Sequence, residues 1–193
     1  KEEIKFLSKT LPQFKYNQNL SKSNIIDEIK DKDILHFSLH GKYNNELKNV
    51  SLILDDSTRI YGYEIGAIQL QSRLAFLNSC DGNIGNYVTG EGVFSMSRYF
   101  MHAGCPTIVA SIWKIPNKVS SDISKGFYSN LKKQNTVSVS ISKAQLNYLN
   151  NNSIDNFLKH PYYWAGLIPI GTDQQIGLKL SLIHISEPTR RHL

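Results

Sequence analysis

The sequence predicts an α/β fold in which a mostly parallel sheet is flanked by helices, and three observations predict it. Apolar runs of buried-strand length recur at residues 34–39, 73–78, 107–113 and 164–170. Segments with apolar residues at helical spacing alternate with these runs, an order satisfied when crossover helices cover both faces of a parallel sheet. The composition, 40% hydrophobic, 20% charged and 10% aromatic over 193 residues, supplies one sizeable core and excludes a disordered chain.

In chain order, residues 1–32 are polar and read as the remnant of the domain's N-terminal part. They carry one short helix over 24–30, with Ser23 or Asn24 as its cap and Ile25, Ile26 and Ile29 on one face. The main body, 33–173, opens on the strand over 34–39, which His36 interrupts and His40-Gly41 ends. An Asn-rich loop follows. A strand over 50–54 closes on Asp55-Asp56-Ser57, Ile60 and Tyr61 pair with it, and 63–70 is a short helix.

The strand over 73–78 runs into a glycine-rich loop, 80–92. Beyond it lies an amphipathic helix built on Val93, Met96, Phe100 and Ala103, which Gly104 ends. After the strand over 107–113 and Pro116 come a helix over 120–133, carrying Ile123, Phe127 and Leu131 on one side, and a second helix through Val137, Ile141, Ala144 and Tyr148. The run over 164–170, with Gly171 behind it, is the last strand, and 174–180 is a tail. Residues 181–193, SLIHISEPTRRHL, break with the Asn- and Lys-rich texture before them. They resemble translated sequencing-adapter sequence and are set aside from fold reasoning.

Charge and cysteine content narrow the function classes. The chain has 22 Lys and Arg against 16 Asp and Glu, a net charge of +6. The basic residues are scattered, with Lys132-Lys133 and Arg190-Arg191 the adjacent pairs, so there is no stripe for tracking phosphates and nucleic acid is not the expected partner. No apolar run approaches the roughly 18 residues of a membrane span, and the Lys-Glu-Glu opening shows no signal-peptide pattern. Cys80 and Cys105 form no C-x-x-C pair, which excludes a Cys-rich zinc module and a disulfide framework and points to a reducing, cytoplasmic setting.

Two reactive side chains stand at strand ends, and ligand chemistry in parallel sheets collects at the carboxyl ends of strands. His40 follows one strand and Cys80 another. If those strands are neighbours, an imidazole faces a thiol across one crevice: the base takes the thiol proton and later hands it to a leaving amine. Gly41 and Gly82 let a substrate backbone approach, and the amides of Gly41 and Cys80 are candidate oxyanion donors. The competing reading of Cys80 is an inert buried thiol. His36, by strand alternation, shares a face with His40 and reads as a satisfied core histidine. His102, His160 and Cys105 read as packing or surface residues.

The cluster of Gly82, Gly85, Gly90 and Gly92 lacks the lysine of a phosphate loop and the G-x-G-x-x-G register, and reads as an active-site loop. Asp81 and Glu91 lie beside the cleft and dispose it towards a basic side chain, or Glu91 complements the helix that follows. Trp113, at a strand end, is a candidate cleft wall. No helix carries an H-x-x-x-H pair with a partnering carboxylate, so no metal is expected, and the cysteine chemistry needs no cofactor.

The motifs HFSLHG (36–41), LNSCDG (77–82), TIVASIWKI (107–115) and HPYYWAGLIPIG (160–171) occur in the order seen in CHAT domains, and the sequence from residue 34 to 171 resembles that family of caspase-like cysteine peptidases, relatives of caspases, separases and gingipains. The resemblance implies a caspase-like three-layer sandwich, His40 as base, Cys80 as nucleophile, Gly41 and the Cys80 amide as oxyanion hole, a protein or peptide substrate, and control by upstream helical repeats that these residues do not include. One departure is Asn117, near where the family often shows Asp. The expected function is a cysteine endopeptidase; the alternative is a latent or inactive caspase-like interaction module.

Overall fold

The computed structural model describes residues 2–11, 14–17, 21–44, 46, 49–55, 57–78, 87–88, 92–93, 96–177 and 181–186. Its centre is a six-stranded sheet: β1 (Phe14–Asn17), β2 (Ile34–Ser38), β6 (Leu74–Leu77), β9 (Thr107–Ser111), β10 (Leu167–Gly171) and β11 (Leu182–Ser186), in the spatial order β1-β11-β2-β6-β9-β10. All pairings are parallel except that of β10 with β9. The predicted α/β class therefore holds.

Strand alternation sorts the side chains into two cores. Leu35, Phe37, Ala75, Leu77, Ile108 and Ala110 pack on one face with Ile25 and Ile29 of α2 (Lys22–Ile29), Ile65 of α3 (Gly62–Gly66) and Met96 and Phe100 of α4 (Met96–His102). Ile34, Leu74, Phe76 and Val109 pack on the other with Leu7 of α1 (Glu2–Thr10), Ile123 and Phe127 of α5 (Asn117–Leu131) and Ile141 and Ala144 of α6 (Val137–Leu149). Because successive strand side chains point to opposite faces, a sheet that is apolar on both must be covered on both. The result is the three-layer sandwich expected of the caspase-like class.

A second sheet sits on the first of these layers. β3 (His40–Asn44), β4 (Asn49–Ile53) and β5 (Arg59–Tyr61) form an antiparallel meander, and Val50, Leu52 and Ile60 feed the same core as α2 and α4. A two-residue pair, β7 (Tyr87–Val88) with β8 (Gly92–Val93), is also antiparallel.

Several expectations are corrected by local chemistry. Residues 1–32 hold a helix and a strand before α2: Ile4, Leu7 and Leu11 recur at helical spacing, and Leu7 and Leu11 find a buried face against α5. Helix α2 begins two residues earlier than expected, because the Ser21 hydroxyl accepts from the Asn24 amide at 3.3 Å and serves as cap in place of Ser23 or Asn24. The Asn-rich loop is in part β3. Val93 lies in β8, so α4 is a shorter helix than its apolar spacing suggested. Its end is as read: Gly104, at φ 105°, donates to Met101 O and the Cys105 amide donates to Phe100 O, the double closure of a Schellman motif. Gly171, at φ 91°, ends β10 where an added Cβ would lie 2.2 Å from Pro106 O.

The segment from Ser181, set aside above, has a place in the sheet. Leu182–Ser186 lies between β1 and β2 and pairs with both. Its nearly continuous apolar run, Leu182, Ile183 and Ile185, matches the two-sided demand of that position, and a parallel ladder needs no turn signal to form.

His36 is buried in the core facing α5. Its Nδ1 lies 2.9 Å from the Tyr128 hydroxyl, its Nε2 3.2 Å from Ser38 Oγ and 3.4 Å from a Glu3 carboxylate oxygen. Ser124 donates to the same Glu3 oxygen. The ring is stacked between Phe76, at 4.9 Å, and His184, at 4.6 Å. Burial holds the pKa of His36 well below its usual value and lowers that of His184 to about 4, while burial raises that of Glu3. The Nδ1 of His184 has no hydrogen-bond partner, and an orphaned buried polar atom costs about 1–3 kcal/mol.

Both histidines thus fold neutral, and the unfolded chain binds more protons than the folded one below their usual pKa of 6.5. Stability is expected to fall as pH drops from 6.5 towards 4, opposed in part by Glu3, whose raised pKa acts in the other direction. Thermal unfolding followed by circular dichroism across this range checks it, and His184→Leu should flatten the decline.

Candidate active site

The site is defined by two neighbouring strand ends. β2 and β6 are adjacent and parallel, with Phe37 level with Leu77, and the Asn78 amide donates to Phe37 O at 2.8 Å. The two strands therefore finish at the same height. His40 comes two residues after the end of β2 at Ser38, and Cys80 three after the end of β6 at Leu77. The strands that precede His40 and Cys80 are thus neighbours. Cys80 itself, with Asp81, Gly82, Gly85, Gly90 and Glu91, lies outside the described residues.

His40 does not end β2. It is the first residue of β3, paired with Ile53 of β4, and it is exposed whereas His36 is fully buried. Strand alternation does not carry from His36 to His40, because the chain leaves the main sheet at Leu39, whose side chain is buried in the layer below. The chain's entry into the meander fixes the His40 backbone on a ladder instead of a free loop. Gly41 follows it, buried and paired with Leu52.

The next strand across is β9. Two residues past its end, Trp113 is half-buried, and its Nε1 donates to Tyr162 O at 2.7 Å while its ring lies parallel to that of Tyr162 at 6.4 Å. Gly166 has to be Gly here, since a Cβ would come within 2.8 Å of the indole. The indole is thereby committed to the turn Pro161–Tyr163, which His160 caps by accepting from the Tyr162 amide at 3.3 Å. Beside it, Asn156, Phe157, Lys159, His160, Tyr162 and Tyr163 line a cavity of about 620 Å³. His102 ends α4 and is exposed.

Sequence reasoning passed over Asn78. Its backbone ties β6 to β2, and its side-chain carbonyl accepts from the Ser120 hydroxyl in the first turn of α5. Asn78 so joins two strands and a helix immediately before the segment that carries Cys80. The available signal was the Asn in LNSC, an amide at a strand end facing a helix start. Cys105 is the opposite case. It is buried, its thiol donates towards Thr107 O at 3.4 Å, and burial pushes its pKa up to about 12. It is an inert structural thiol.

With two strand ends level, a histidine and a cysteine following them, and helices on both faces, the architecture is that of the caspase-like class. The CHAT domain family matches residues 1–172. The chain belongs to that family. The CHAT match includes α1, β1 and α2 as well as the body that the motifs identified, and it stops short of β11. Among curated proteins, tetratricopeptide repeat protein 28 of Homo sapiens is 29% identical over 116 residues, and tetratricopeptide repeat protein 28 of Mus musculus 28% over the same length. These alignments cover 60% of this chain and 4% of each relative.

Among the described residues, no group of three His, Cys, Asp or Glu side chains is placed to hold a metal ion, and no helix is long and apolar enough to cross a membrane.

Removing the Asn78 link should loosen this end of the CHAT domain. Ser120→Ala is expected to lower the free energy of unfolding by about 1 kcal/mol, the size of one buried hydrogen bond, as read by urea denaturation.

Proposed function

We propose that this CHAT domain is a cysteine endopeptidase in which Cys80 attacks a peptide carbonyl and His40 carries the proton. The single observation behind the reading is the level, adjacent termination of β2 and β6, with one member of the pair following each strand. Deprotonated by His40, the Cys80 thiolate adds to the carbonyl carbon; the backbone amides of Gly41 and Cys80 receive the oxyanion. The tetrahedral adduct collapses as His40 returns the proton to the leaving amine. Water, activated by the same imidazole, then releases the acid and regenerates the thiol. No cofactor enters this sequence.

The substrate is a protein or peptide. Asp81 and Glu91 favour a basic side chain near the scissile bond, and Trp113 with its aromatic neighbours walls the outer part of the groove. A thiolate enzyme suits a reducing, cytoplasmic compartment, and helical repeats ahead of the domain would supply control.

A second reading has its own observation. The relatives bear the name of a tetratricopeptide repeat protein, and Asn117 stands near where the family often shows Asp. On this reading the domain is a latent caspase-like module that docks other proteins.

The two readings separate at the thiol. Cys105 is buried and its pKa lies at about 12, so alkylation at neutral pH reads Cys80. For the peptidase, iodoacetamide labels Cys80 rapidly and His40→Ala slows that labelling. Mass-spectrometric mapping of cleavage sites in a denatured proteome should then give cuts sharing one residue type, all lost in Cys80→Ala. Identical digests from the parent and Cys80→Ala would leave the docking module.

A further inference from the structure

The motif HPYYWAGLIPIG supplies more than the last strand. Its first residues, with those just before it, fold as two consecutive 3-10 turns, Asn156–Lys159 and Pro161–Tyr163. Asp155 caps the first turn by accepting from the Phe157 amide at 2.9 Å, and the Trp164 indole donates to Lys159 O at 2.9 Å. The second turn has the His160 cap and the Trp113 indole. Two caps and two indoles thus fix a loop that holds large aromatic rings in water: Phe157 is 67% exposed and Tyr162 56%. Both rings touch that of Tyr163, at centroid distances of 4.8 Å and 5.5 Å. Aromatic surface held on a frame already ordered binds a ligand at low entropic cost.

The cavity that these rings line, about 620 Å³, lies within the roughly 300–1,000 Å³ of ligand pockets. Its charge has one sign. Lys159 and His160 are lining residues and no carboxylate is. Among the described residues the Lys159 ammonium has no ion-pair partner, and the neighbouring Asp155 carboxylate is engaged by the Phe157 amide. His160 uses Nδ1 as an acceptor for the Tyr162 amide, so its other ring nitrogen is a donor. An aromatic wall beside an uncompensated cation is complementary to an apolar group that carries a carboxylate next to it.

Strand register places this cavity relative to the dyad. Leu167, the first residue of β10, stands level with Ser111, the last of β9, and Ala110 stands level with Leu77, the last of β6. Because β10 runs against β9, the chain enters it at the same sheet end where β2, β6 and β9 finish. From β6 to β10 is two strand positions, about 10 Å at the usual strand spacing, which an extended peptide crosses in about three residues.

We propose that this cavity is a substrate subsite, remote from the scissile bond, that takes a bulky apolar side chain with an acidic residue next to it. The assignment rests on the peptidase reading. Phe157 and Tyr162 select the apolar group and Lys159 the acid, at about three to five residues from the cleaved bond.

The test uses the full chain with Cys80→Ala, so that no probe is cut. The capped peptide acetyl-Gly-Phe-Asp-Gly-amide should shift the Trp113 indole N–H resonance saturably in a nitrogen-15 NMR titration. Acetyl-Gly-Ser-Asp-Gly-amide should give no shift, and acetyl-Gly-Phe-Lys-Gly-amide should bind about three-fold more weakly, the size of one half-exposed ion pair. Lys159→Glu should reverse the order of the Asp and Lys peptides, and Phe157→Ser should abolish the shift; both side chains lie on the surface loop, and parent circular dichroism spectra verify the folds. No saturable shift, or an order that Lys159→Glu leaves unchanged, overturns the proposal. In the parent's cleavage map, apolar-acidic pairs should be enriched about three to five residues from the cut, and Phe157→Ser should remove the enrichment. Cys80-dependent cleavage without peptide binding overturns the subsite alone, whereas binding without any Cys80-dependent cleavage supports the pocket and overturns the peptidase reading.

Discussion

The register between β2 and β6 is the constraint on which the rest depends. Phe37 stands level with Leu77, and the Asn78 amide completes the ladder by donating to Phe37 O. A slip of β2 by one residue would turn Leu35 and Phe37 from the core of α2 and α4 into that of α5 and α6, while Ala75 and Leu77 of β6 stayed where they are. Register is thus enforced by two cores at once, and the same enforcement brings the ends of the two strands to one level. Strand ends aligned this way need no long-range polar contact to position them. Their alignment comes from apolar volume.

The polar groups that are buried serve the frame. His36, Tyr128, Ser38, Glu3 and Ser124 satisfy one another where β2, α1 and α5 meet. A partly buried carboxylate with a raised pKa beside a neutral imidazole is a weak source of net stability; its effect is to tie α1 to one position over the sheet. Asn78 and Ser120 tie the first turn of α5 to the end of β6. The helix layer is therefore pinned at two places, and between them it is packed by Ile123 and Phe127.

The small sheet explains why a histidine at a strand end is not on a flexible loop. The chain leaves β2 at Leu39, which is buried, and joins β3 at His40, so the imidazole follows an anchored residue and begins a hydrogen-bonded ladder. The β3–β4–β5 meander is itself fixed through Val50, Leu52 and Ile60 to the main core. Rigidity at His40 is inherited from burial on either side of it.

The sequence by itself determined the class of fold, most helices and strands of the main body, the Gly104 stop and the inert character of Cys105, because each depends on local periodicity or on one residue's intrinsic chemistry. The motifs also pointed to His40 and Cys80 as a pair and to the family. Only the tertiary structure decided which strands are neighbours, since hydrogen-bonded partners are distant in sequence and carry no local signal. It decided that His36 and His40 part company at Leu39, that α1 and β1 belong to the same sandwich, and that Leu182–Ser186 enters the sheet. Those outcomes turn on which buried surface is left to be covered, a property of the assembled layers that no window of residues contains.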